Sequence, residues 1–346
     1  MQTGGDGVTG SAIPGSAAAA LGLTSIGGDL ERVLQQGLES VEALLRTSVA
    51  SDFEFVGQAS RHLVEAGGKR FRPLLTLLAA QFGDPAASGV IPAAVVVELT
   101  HLATLYHDDV MDEADLRRGA PSANSRWDNS VAILTGDFLF ARASDLLADL
   151  GPEAVRIQAR TFERLVTGQI RETVGPGPDA DPVEHYLSVL TDKTGSLVAT
   201  AARFGAMFAG VGEPLRTGLT SYGEAIGIAF QISDDLLDIA SEQAISGKAP
   251  GTDLREGIPT LPILLARAGR DPSESRLREL LAGPLTEPQA HAEALTLLRG
   301  SEGMARARSM LAGYVERAKL TLEPLPAGPV RDALGSLCDV MLQRTA

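Results

Sequence analysis

The sequence predicts an all-α protein in which antiparallel helices form one large bundle. Apolar residues make up 44% of the chain and aromatic residues only 4%, and because Ala, Leu and Val dominate the apolar share, this composition favours helices over sandwiches or barrels. Apolar residues recur at three- and four-residue steps, as in Leu30, Val33, Leu34, Leu38 and Val41, which is the period of an amphipathic helix. No segment reads convincingly as a strand, and several helices are apolar on nearly every side, as in the interior of a bundle.

Gly and Pro divide the chain into helical segments. Residues 1–28 are mostly Gly, Ala, Ser and Thr and predict a disordered leader. One helical domain is expected over residues 29–346, because no polar linker divides its middle. After a first helix that starts near Asp29, helices are predicted at about 52–66, 71–82, 90–115, 124–150, 152–173, 181–209, 213–241, 259–268, 287–299, 302–322 and 328–344.

Charge and cysteine usage exclude several classes of protein. The formal net charge is −14, which argues against non-specific binding of nucleic acid. Cys338 is the sole cysteine, so no intrachain disulfide is possible and a reducing cytoplasm is expected. The stretch Met1–Gly28 contains no Lys or Arg, unlike a secretory signal. No run of about 18 uncharged apolar residues occurs, so no membrane span is predicted.

Two clusters of aspartates are the most informative feature of the sequence. The first comprises Asp108, Asp109 and Asp112, and the second comprises Asp234, Asp235 and Asp238. In a helix, the outer members of each cluster lie one turn apart on the same face, where like charges repel. One such cluster could equally be a solvated helix end, but two that follow apolar stretches favour bound divalent cations. Mg²⁺ is the expected ion, because it combines one or two carboxylates with water and substrate phosphates. Neither cluster has the Gly and the ligand spacing of an EF-hand.

Cationic residues stand near both clusters and predict binding of phosphate groups. They are Lys69, Arg70 and Arg72 in the segment 67–73, His101 two turns before Asp108, Arg117 and Arg118, Lys193, and Lys248. A helix N-terminus offers free N–H groups to phosphate, and Arg adds bidentate hydrogen bonds. Gly195 follows Lys193 within a helix, and a glycine there indicates a close approach of another element. A lone His or a basic loop is more often a structural or solvated feature.

Together these motifs resemble those of the trans-isoprenyl diphosphate synthases, most of all the long-chain bacterial members. The matching segments are GGKRFRP at 67–73, HDDVMD at 107–112, RRG at 117–119, GDFL at 136–139, KTG at 193–195, FQISDDLLD at 230–238 and GK at 247–248. The resemblance covers the chain from about residue 30 to its end. It implies antiparallel helices around a deep central cavity, usually in a homodimer.

The resemblance also implies roles for individual residues. Asp108, Asp109, Asp112 and Asp234, with Asp235 and Asp238 behind them, would hold Mg²⁺ on an allylic diphosphate, which Arg117, Lys193 and Lys248 would also contact. Lys69, Arg72, His101 and Arg118 would hold isopentenyl diphosphate, and Thr194 and Gln231 would place oxygen dipoles near the developing allylic cation. Two positions depart from the family pattern: Ile258 replaces a frequent Lys, and Asp128 replaces a frequent Gly.

Residues before the first aspartate cluster suggest the length of the product. Ala103 and Thr104, five and four residues before Asp108, stand where short-chain relatives commonly carry large aromatic residues. One helical turn descends about 5.4 Å, comparable with one isoprene unit, so an open tunnel predicts roughly six to ten units. The expected enzyme is therefore a long-chain trans-polyprenyl diphosphate synthase that supplies quinone side chains. Alternatively, these small residues only allow the helices to pack closely.

Three other functions remain alternatives at this level. A geranylgeranyl or farnesyl diphosphate synthase would differ only in where the cavity is blocked. A terpene cyclase would not need the second anion site of Lys69, Arg72 and Arg118. A non-catalytic partner subunit would be expected to lose its aspartate clusters, and both are intact. Contact with a membrane is predicted to be transient, because no basic amphipathic helix marks a docking surface.

Overall fold

The computed structural model describes residues 28–240 and 250–345, and over these residues the protein is helical apart from one minimal hairpin. The all-α prediction is confirmed. The principal helices are α1 (Gly28–Ser48), α2 (Glu54–Glu65), α3 (Phe71–Ala80), α4 (Val90–Met111), α5 (Ala123–Arg126), α6 (Asn129–Leu150), α7 (Pro152–Val174), α8 (Pro182–Leu190), α9 (Ser196–Phe208), α10 (Glu213–Ala240), α11 (Thr252–Glu256), α12 (Leu261–Ala268), α13 (Ser275–Leu280), α14 (Pro288–Arg299), α15 (Glu302–Leu322) and α16 (Pro329–Gln343). A π-helical turn (Thr191–Gly195) joins α8 to α9, and a 3₁₀ turn (Pro272–Glu274) precedes α13.

Helices α4 and α10 lie at the centre because their sequences are apolar on most sides. Helix α4 packs against α3, α6 and α9, and α10 packs against α9 and α15. The buried side chains form three clusters: one among α3, α9, α10, α12, α15 and α16, one among α1, α2, α4 and α6, and one among α4, α7 and α9. By length and composition α4 is apolar enough to cross a membrane, but 67% of its most apolar stretch is buried inside the protein. It is the core helix of the bundle.

Most predicted helix bounds agree with the structure to within about two residues, and the exceptions have local causes. Helix α4 ends at Met111 and not near residue 115, because Glu113 adopts a left-handed backbone and Ala114 N–H closes onto Asp109 O at 2.9 Å. The predicted helix 124–150 is split, since Asp128 accepts a hydrogen bond from Val131 N–H (2.8 Å) and starts α6 as its N-cap. Helices α11 and α13 were not predicted, because such short segments lack a full apolar period.

A two-residue hairpin turn follows α4 and was also missed. Strand β1 (Leu116–Arg117) pairs antiparallel with β2 (Ala120–Pro121). The turn residues Arg118 and Gly119 both have positive φ, at 55° and 77°, which is the requirement of a type I′ turn. The hairpin holds the two predicted cationic residues, Arg117 and Arg118, in a tight reversal directly after the first aspartate cluster.

The predicted leader and one predicted site residue fall outside the described part of the chain. Residues 1–27 and 241–249 are not described, and Lys248 belongs to the second range. The leader, its boundary at residue 28 and the phosphate role of Lys248 therefore remain predictions. The prediction of one domain over residues 29–346 likewise stays a proposal.

Candidate active site

A cavity of about 480 Å³ lies at the end of α10 that carries the second aspartate cluster. Eight predicted site residues line it: Lys69, Arg117, Lys193, Thr194, Gln231, Asp234, Asp235 and Asp238. Tyr186, Glu172 and Arg344 also line it, although the sequence analysis did not select them. We call this space the central cavity. It brings together residues of α7, α8, the π turn and α10 with Lys69 just before α3 and Arg344 just after α16, which are far apart in the sequence.

In the second cluster, each carboxylate is engaged by groups from other elements. Asp234 Oδ1 accepts a hydrogen bond from Arg344 Nη2 at 2.6 Å. Asp235 accepts one hydrogen bond from the Tyr186 hydroxyl and another from Gln231 Nε2 at 3.3 Å. Asp235 is buried, and this burial raises the pKa of its carboxyl to about 7 despite these donors.

Asp238 also orients a neighbouring helix. Its two carboxylate oxygens accept hydrogen bonds from the backbone N–H groups of Thr252 (3.2 Å) and Asp253 (3.1 Å), the first residues of α11. A carboxylate in this position stabilises a helix N-terminus. Asp238 thus links the metal motif to the segment that closes one side of the central cavity.

In the first cluster, the three aspartates have different environments. Asp108 is half-buried, and burial raises the pKa of its carboxyl to about 6. Asp112 is exposed at the end of α4. Asp109 is completely buried, and its Oδ1 accepts a hydrogen bond from Arg117 Nε at 2.5 Å. Asp109 therefore holds the arginine of the hairpin and lines neither this cavity nor the one described below.

Arg117 and Lys193 stand between the two aspartate clusters. Arg117 lies 4.0 Å from Asp112 through its Nη2, and both cations lower the pKa of Asp108 electrostatically. Lys193 is part of the π-helical turn, and its ammonium pairs with Glu172 of α7. A π turn inserts one extra residue into a helix and often marks a functional site. Here the turn allows both Lys193 and Thr194 to line the central cavity.

Glycines allow other helices to approach this turn closely. A Cβ on Gly168 of α7 would lie 2.7 Å from the backbone nitrogen of Lys193, and one on Gly195 would lie 3.3 Å from Glu224 Cγ of α10. The sequence analysis expected a close approach at Gly195, and the structure confirms it. Gly168 was not selected.

A cluster of buried cations lies beside Lys69. Burial, with Arg118 nearby, lowers the pKa of Arg72 to about 10, and burial together with Arg72 and Arg118 lowers the pKa of His101 well below its usual value. The charge of Arg70 is balanced by two carboxylates, because its guanidinium pairs with Glu42 and, at 2.9 Å, with Glu98. Burial likewise lowers the pKa of Lys69. An anion would relieve the repulsion between Arg72 and Arg118, so the electrostatics of the cluster suit a phosphate group.

The glycine pair before this cluster has a conformational role. Gly67 and Gly68 have φ values of +84° and +145°, which side chains other than glycine adopt at a cost. A Cβ on Gly68 would lie 2.8 Å from Arg118 Cζ. Arg118 donates hydrogen bonds to the carbonyl oxygens of Gly67 and Leu63, at 3.1 Å in the latter case. The glycines thus let the loop wrap around the guanidinium of Arg118.

An apolar cavity of about 340 Å³ begins at Asp108 and runs between α4, α6 and α7. It is lined by Thr104, His107, Asp108, Val110, Met111, Ile133, Phe140, Phe162, Leu165, Val166, Gln169 and Ile170. We call it the tail cavity. Thr104 lines it as predicted. Ala103 does not, because it is fully buried in the cluster among α1, α2, α4 and α6, so the expectation that Ala103 faces a tunnel needs correction.

The carboxylates fit a hard divalent cation, although no ion site is fully assembled. Within the described residues, no three His, Cys, Asp or Glu side chains are grouped closely enough to hold a metal ion. Mg²⁺, however, commonly takes one or two carboxylates and completes its shell with water and phosphate oxygens. Asp109 Oδ2 is buried without a hydrogen-bond partner, and burial raises the pKa values of the Asp108 and Asp235 carboxyls. A cation and a phosphate ligand would therefore stabilise the site jointly.

Comparison with known proteins identifies the family. The sequence model of the polyprenyl synthetase family matches residues 53–298, which are most of the chain. The chain belongs to the polyprenyl synthetase family. Nonaprenyl diphosphate synthase of Mycobacterium tuberculosis (strain ATCC 25618 / H37Rv) is 52% identical over 312 residues, which cover 90% of this chain and 93% of that protein.

Two solved structures support the same conclusion. Geranylgeranyl pyrophosphate synthase from Corynebacterium glutamicum, complexed with calcium and isoprenyl diphosphate, superposes with a TM-score of 0.84 at 47% identity, covering 92% of this chain and 98% of that one. A decaprenyl diphosphate synthase from Rhodobacter capsulatus superposes with a TM-score of 0.83 at 34% identity, covering 92% and 99%. The chain is accordingly a prenyltransferase of the isoprenoid synthase fold, and the predicted family, fold and enzyme class are confirmed.

The residues missed by sequence reasoning share one property. Tyr186 and Arg344 reach Asp235 and Asp234 from elements 49 and 110 residues away, and Phe140 and Phe162 join the tail cavity from α6 and α7. None of them belongs to a local motif. Tyr186 stands seven residues before Lys193, and Phe140 directly follows the GDFL segment at 136–139, but neither was selected.

Proposed function

We propose that this polyprenyl synthetase extends an allylic diphosphate with isopentenyl diphosphate to give a long-chain trans-polyprenyl diphosphate. The observation that carries the proposal is the position of Asp108, which lines the tail cavity and is also close enough to Lys193 and Arg117 of the central cavity to be affected by their charge. An ionised diphosphate bound among these cations would place its hydrocarbon tail against an apolar channel.

The first chemical step is cleavage of the allylic C–O bond, with the electron pair leaving on the diphosphate. Mg²⁺ held by Asp108, Asp112 and Asp234, with Asp235 and Asp238 behind them, would supply neutralisation of that diphosphate. Arg117 and Lys193 would contribute charge-assisted hydrogen bonds to it. Arg117 is paired with Asp109 and Lys193 with Glu172, so a bound diphosphate would share or replace these partners.

The second step joins the two substrates. The double bond of isopentenyl diphosphate attacks the allylic cation, and the proton then lost is taken up by the departed diphosphate. Thr194 and Gln231 line the central cavity, and Gln231 is oriented with its Nε2 toward Asp235. Their oxygen dipoles would stabilise the cation in a site from which water is excluded.

The cation cluster would hold the diphosphate of isopentenyl diphosphate. Lys69 lines the central cavity, while the two mutually repelling arginines Arg72 and Arg118 are buried with His101. The lowered pKa of His101 means that it meets the anion as a neutral N–H donor. Arg344 lowers the pKa of Lys69 electrostatically, and its guanidinium lies 5.4 Å from the centre of the Phe230 ring. It would close this side of the site.

The proposal of a long-chain product rests on the relatives and on Thr104. The nonaprenyl and decaprenyl synthases above make long chains by name, and Thr104 leaves the start of the tail cavity open. One observation favours a shorter product as the second candidate, a geranylgeranyl diphosphate synthase like the relative from C. glutamicum. The rings of Phe140 and Phe162 lie only 4.5 Å apart across the tail cavity.

We further propose a homodimer that works in the cytoplasm, with transient membrane contact for product release. Apolar side chains are exposed along α6 and α7, including Leu134 (66%) and Ile170 (57%), and a second copy would remove such surface from water. Sedimentation of the purified protein tests the dimer.

The test of function is incubation of the purified protein with Mg²⁺, labelled isopentenyl diphosphate and, separately, allylic primers of five, ten, fifteen and twenty carbons. Dephosphorylated products are sized by chromatography. Chains of thirty carbons or more are expected, and EDTA or Asp234→Asn should abolish them, whereas Asp149→Asn on exposed α6 surface serves as the matched control. Products that stop at twenty carbons would establish the second candidate, and no incorporation with any primer would refute the proposal.

A further inference from the structure

A polar bridge crosses the core one helical turn below the tail cavity. Gln158 Nε2 of α7 donates a hydrogen bond to Thr100 Oγ1 of α4 at 2.7 Å, and Thr100 Oγ1 in turn donates to Val96 O at 2.8 Å. Thr100 is fully buried, and Gln158 is 7% exposed. Gln158 Oε1 is buried without a hydrogen-bond partner. We call this pair of side chains the crossbar.

The crossbar lies in line with the tail cavity. Thr104 and Phe162 line that cavity, and Thr100 and Gln158 precede them by four residues each, so they occupy the same faces of α4 and α7 one turn further from Asp108. The hydrogen bond therefore ties the two helices together at the level where the space between them ends. The Phe140–Phe162 pair forms a layer directly before it, with ring centres 4.5 Å apart.

Beyond the crossbar, the buried residues that α4 and α7 contribute are mostly small, although larger side chains such as Leu197 and Phe204 of α9 pack against them. Val96 and Val97 of α4 and Ala154 of α7 are fully buried in the cluster that α4, α7 and α9 share. Small side chains leave room for a hydrocarbon once the helices are no longer tied. The polar pair is the exception in this apolar surrounding, and an unpartnered buried amide oxygen there carries an energetic cost that packing alone does not explain.

We propose that Gln158 and Thr100, with Phe140 and Phe162 above them, form a gate that the growing prenyl chain must open, and that Gln158 thereby determines the specificity for chain length. The inference rests on the proposed function. Thr100 lies eight residues before Asp108, which is about 12 Å or two turns along the helix, and this distance corresponds to roughly two isoprene units. The tail of a geranyl primer, with two units, therefore ends at about the level of the crossbar, whereas the tail of a geranylgeranyl primer, with four units, extends about two units past it.

The gate distinguishes prenyl tails that must break the Gln158–Thr100 hydrogen bond from shorter tails that need not, and steric hindrance alone would not add this cost. A tail that passes this level separates Gln158 Nε2 from Thr100 Oγ1 in apolar surroundings, where the donor finds no water. An aromatic floor yields by rotating its rings, but the hydrogen bond must break for every chain that passes. Loss of the bond by substitution should therefore speed the later condensations selectively and leave the first condensation unchanged.

The experiment measures kcat/KM for isopentenyl diphosphate addition with geranyl and with geranylgeranyl diphosphate as separate primers. Two variants are compared with wild type: Gln158→Ala, and Gln158→Leu, which keeps the volume but cannot hydrogen-bond. Both should raise the geranylgeranyl-to-geranyl ratio by about fivefold, the factor that corresponds to one ordinary hydrogen bond, and both should shift the product distribution to longer chains. Thr161→Ala is the matched control, because Thr161 of α7 makes an equally buried hydrogen bond to Thr200 (2.6 Å) on the side of α9.

The outcomes separate the two proposals. If only Gln158→Ala raises the ratio, volume and not the hydrogen bond sets the limit, and the crossbar gate is refuted. If Thr161→Ala raises the ratio equally, general loosening of α7 is responsible, and the gate is refuted as well. A wild-type enzyme that incorporates label with an unchanged ratio in all variants also overturns the gate but leaves the function standing. Absence of incorporation by wild type with either primer would overturn the function itself.

Discussion

Replacing Glu98 by Gln should destabilise the protein and make it respond more strongly to pyrophosphate. Glu98 is 2% exposed, and its Oε1 accepts a hydrogen bond from Arg70 Nη1 at 2.9 Å. Its charge also raises the pKa values of Arg72 and Arg118, which burial lowers. Without this carboxylate, three arginines remain close together in a buried site. Gln keeps the shape of the side chain, so the change isolates the charge.

The magnitude follows from the geometry of the pair. Removal of one partner from a buried ion pair costs about 3 to 5 kcal/mol. Arg70 retains Glu42 as a partner, so we expect the lower end, about 3 kcal/mol. Since unfolding entropy amounts to ~2.1 cal/mol/K per residue, a chain of 346 residues should lose about 4 °C in Tm.

The assay is differential scanning calorimetry of metal-free protein with and without inorganic pyrophosphate. An anion among the uncompensated cations restores the missing negative charge, so pyrophosphate should protect Glu98→Gln more than wild type. At a concentration of 100 times its Kd, a ligand stabilises the folded state by about 2.7 kcal/mol. Glu39→Gln on the exposed face of α1 is the control. A Tm within about 1 °C of that control, or equal protection of variant and wild type, would refute the reasoning.

Three further predictions test other parts of the site and the fold. The folded-state pKa of His101 is lowered, so at acidic pH the unfolded chain binds a proton that the folded protein does not. The free energy of unfolding should therefore fall as the pH drops below about 6.5. His101→Asn should remove about 1 kcal/mol of that fall between pH 6.5 and 5.5, measured by urea unfolding. Arg344→Gln frees Asp234 from its ion pair and should tighten Mg²⁺ binding to the substrate-free protein by up to about fivefold in calorimetric titration. Gly205→Ala should lower the free energy of unfolding by about 1 to 3 kcal/mol, because the new Cβ would overlap the α3 backbone, whereas Gly335→Ala meets no neighbour within 4 Å and should not destabilise α16.

Each of these predictions has a contrary result. An unchanged pH slope in His101→Asn would mean that the imidazole titrates equally in both states. Weaker Mg²⁺ binding in Arg344→Gln would show that the arginine supports the metal site instead of competing with it. Equal stability of the two glycine variants would mean that α9 and α3 can separate without cost.

Much of the active site could be predicted from local sequence, because helical periodicity decides which residues share a face. Asp108 and Asp112, and likewise Asp234 and Asp238, could be selected in this way, whereas Lys193 was selected as a cation and Thr194 through the resemblance to the family. The structure brings Lys193, Thr194, Asp234 and Asp238 to one cavity. Residue type adds the chemistry, since carboxylates and cations in such numbers point to a metal and an anion.

Periodicity does not say which helix packs against a given face, and this the tertiary structure alone decides. Asp109 belongs to the motif by sequence, yet it is buried and the hairpin turn brings the partly exposed Arg117 into an ion pair with it. Ala103 and Thr104 are adjacent in sequence, but one faces α6 and the other the tail cavity, because neighbouring helical positions differ by about 100° in direction.

The limit on chain length shows the same division. The small residues on α4 indicated an open tunnel, and of these Thr104 lines the tail cavity. The aromatic layer joins α6 to α7 and the crossbar joins α4 to α7, at separations of 22 residues for Phe140–Phe162 and 58 for Gln158–Thr100. No local pattern encodes such pairs, since they exist only when the apolar faces of the bundle have packed together and the remaining polar groups must find partners inside it.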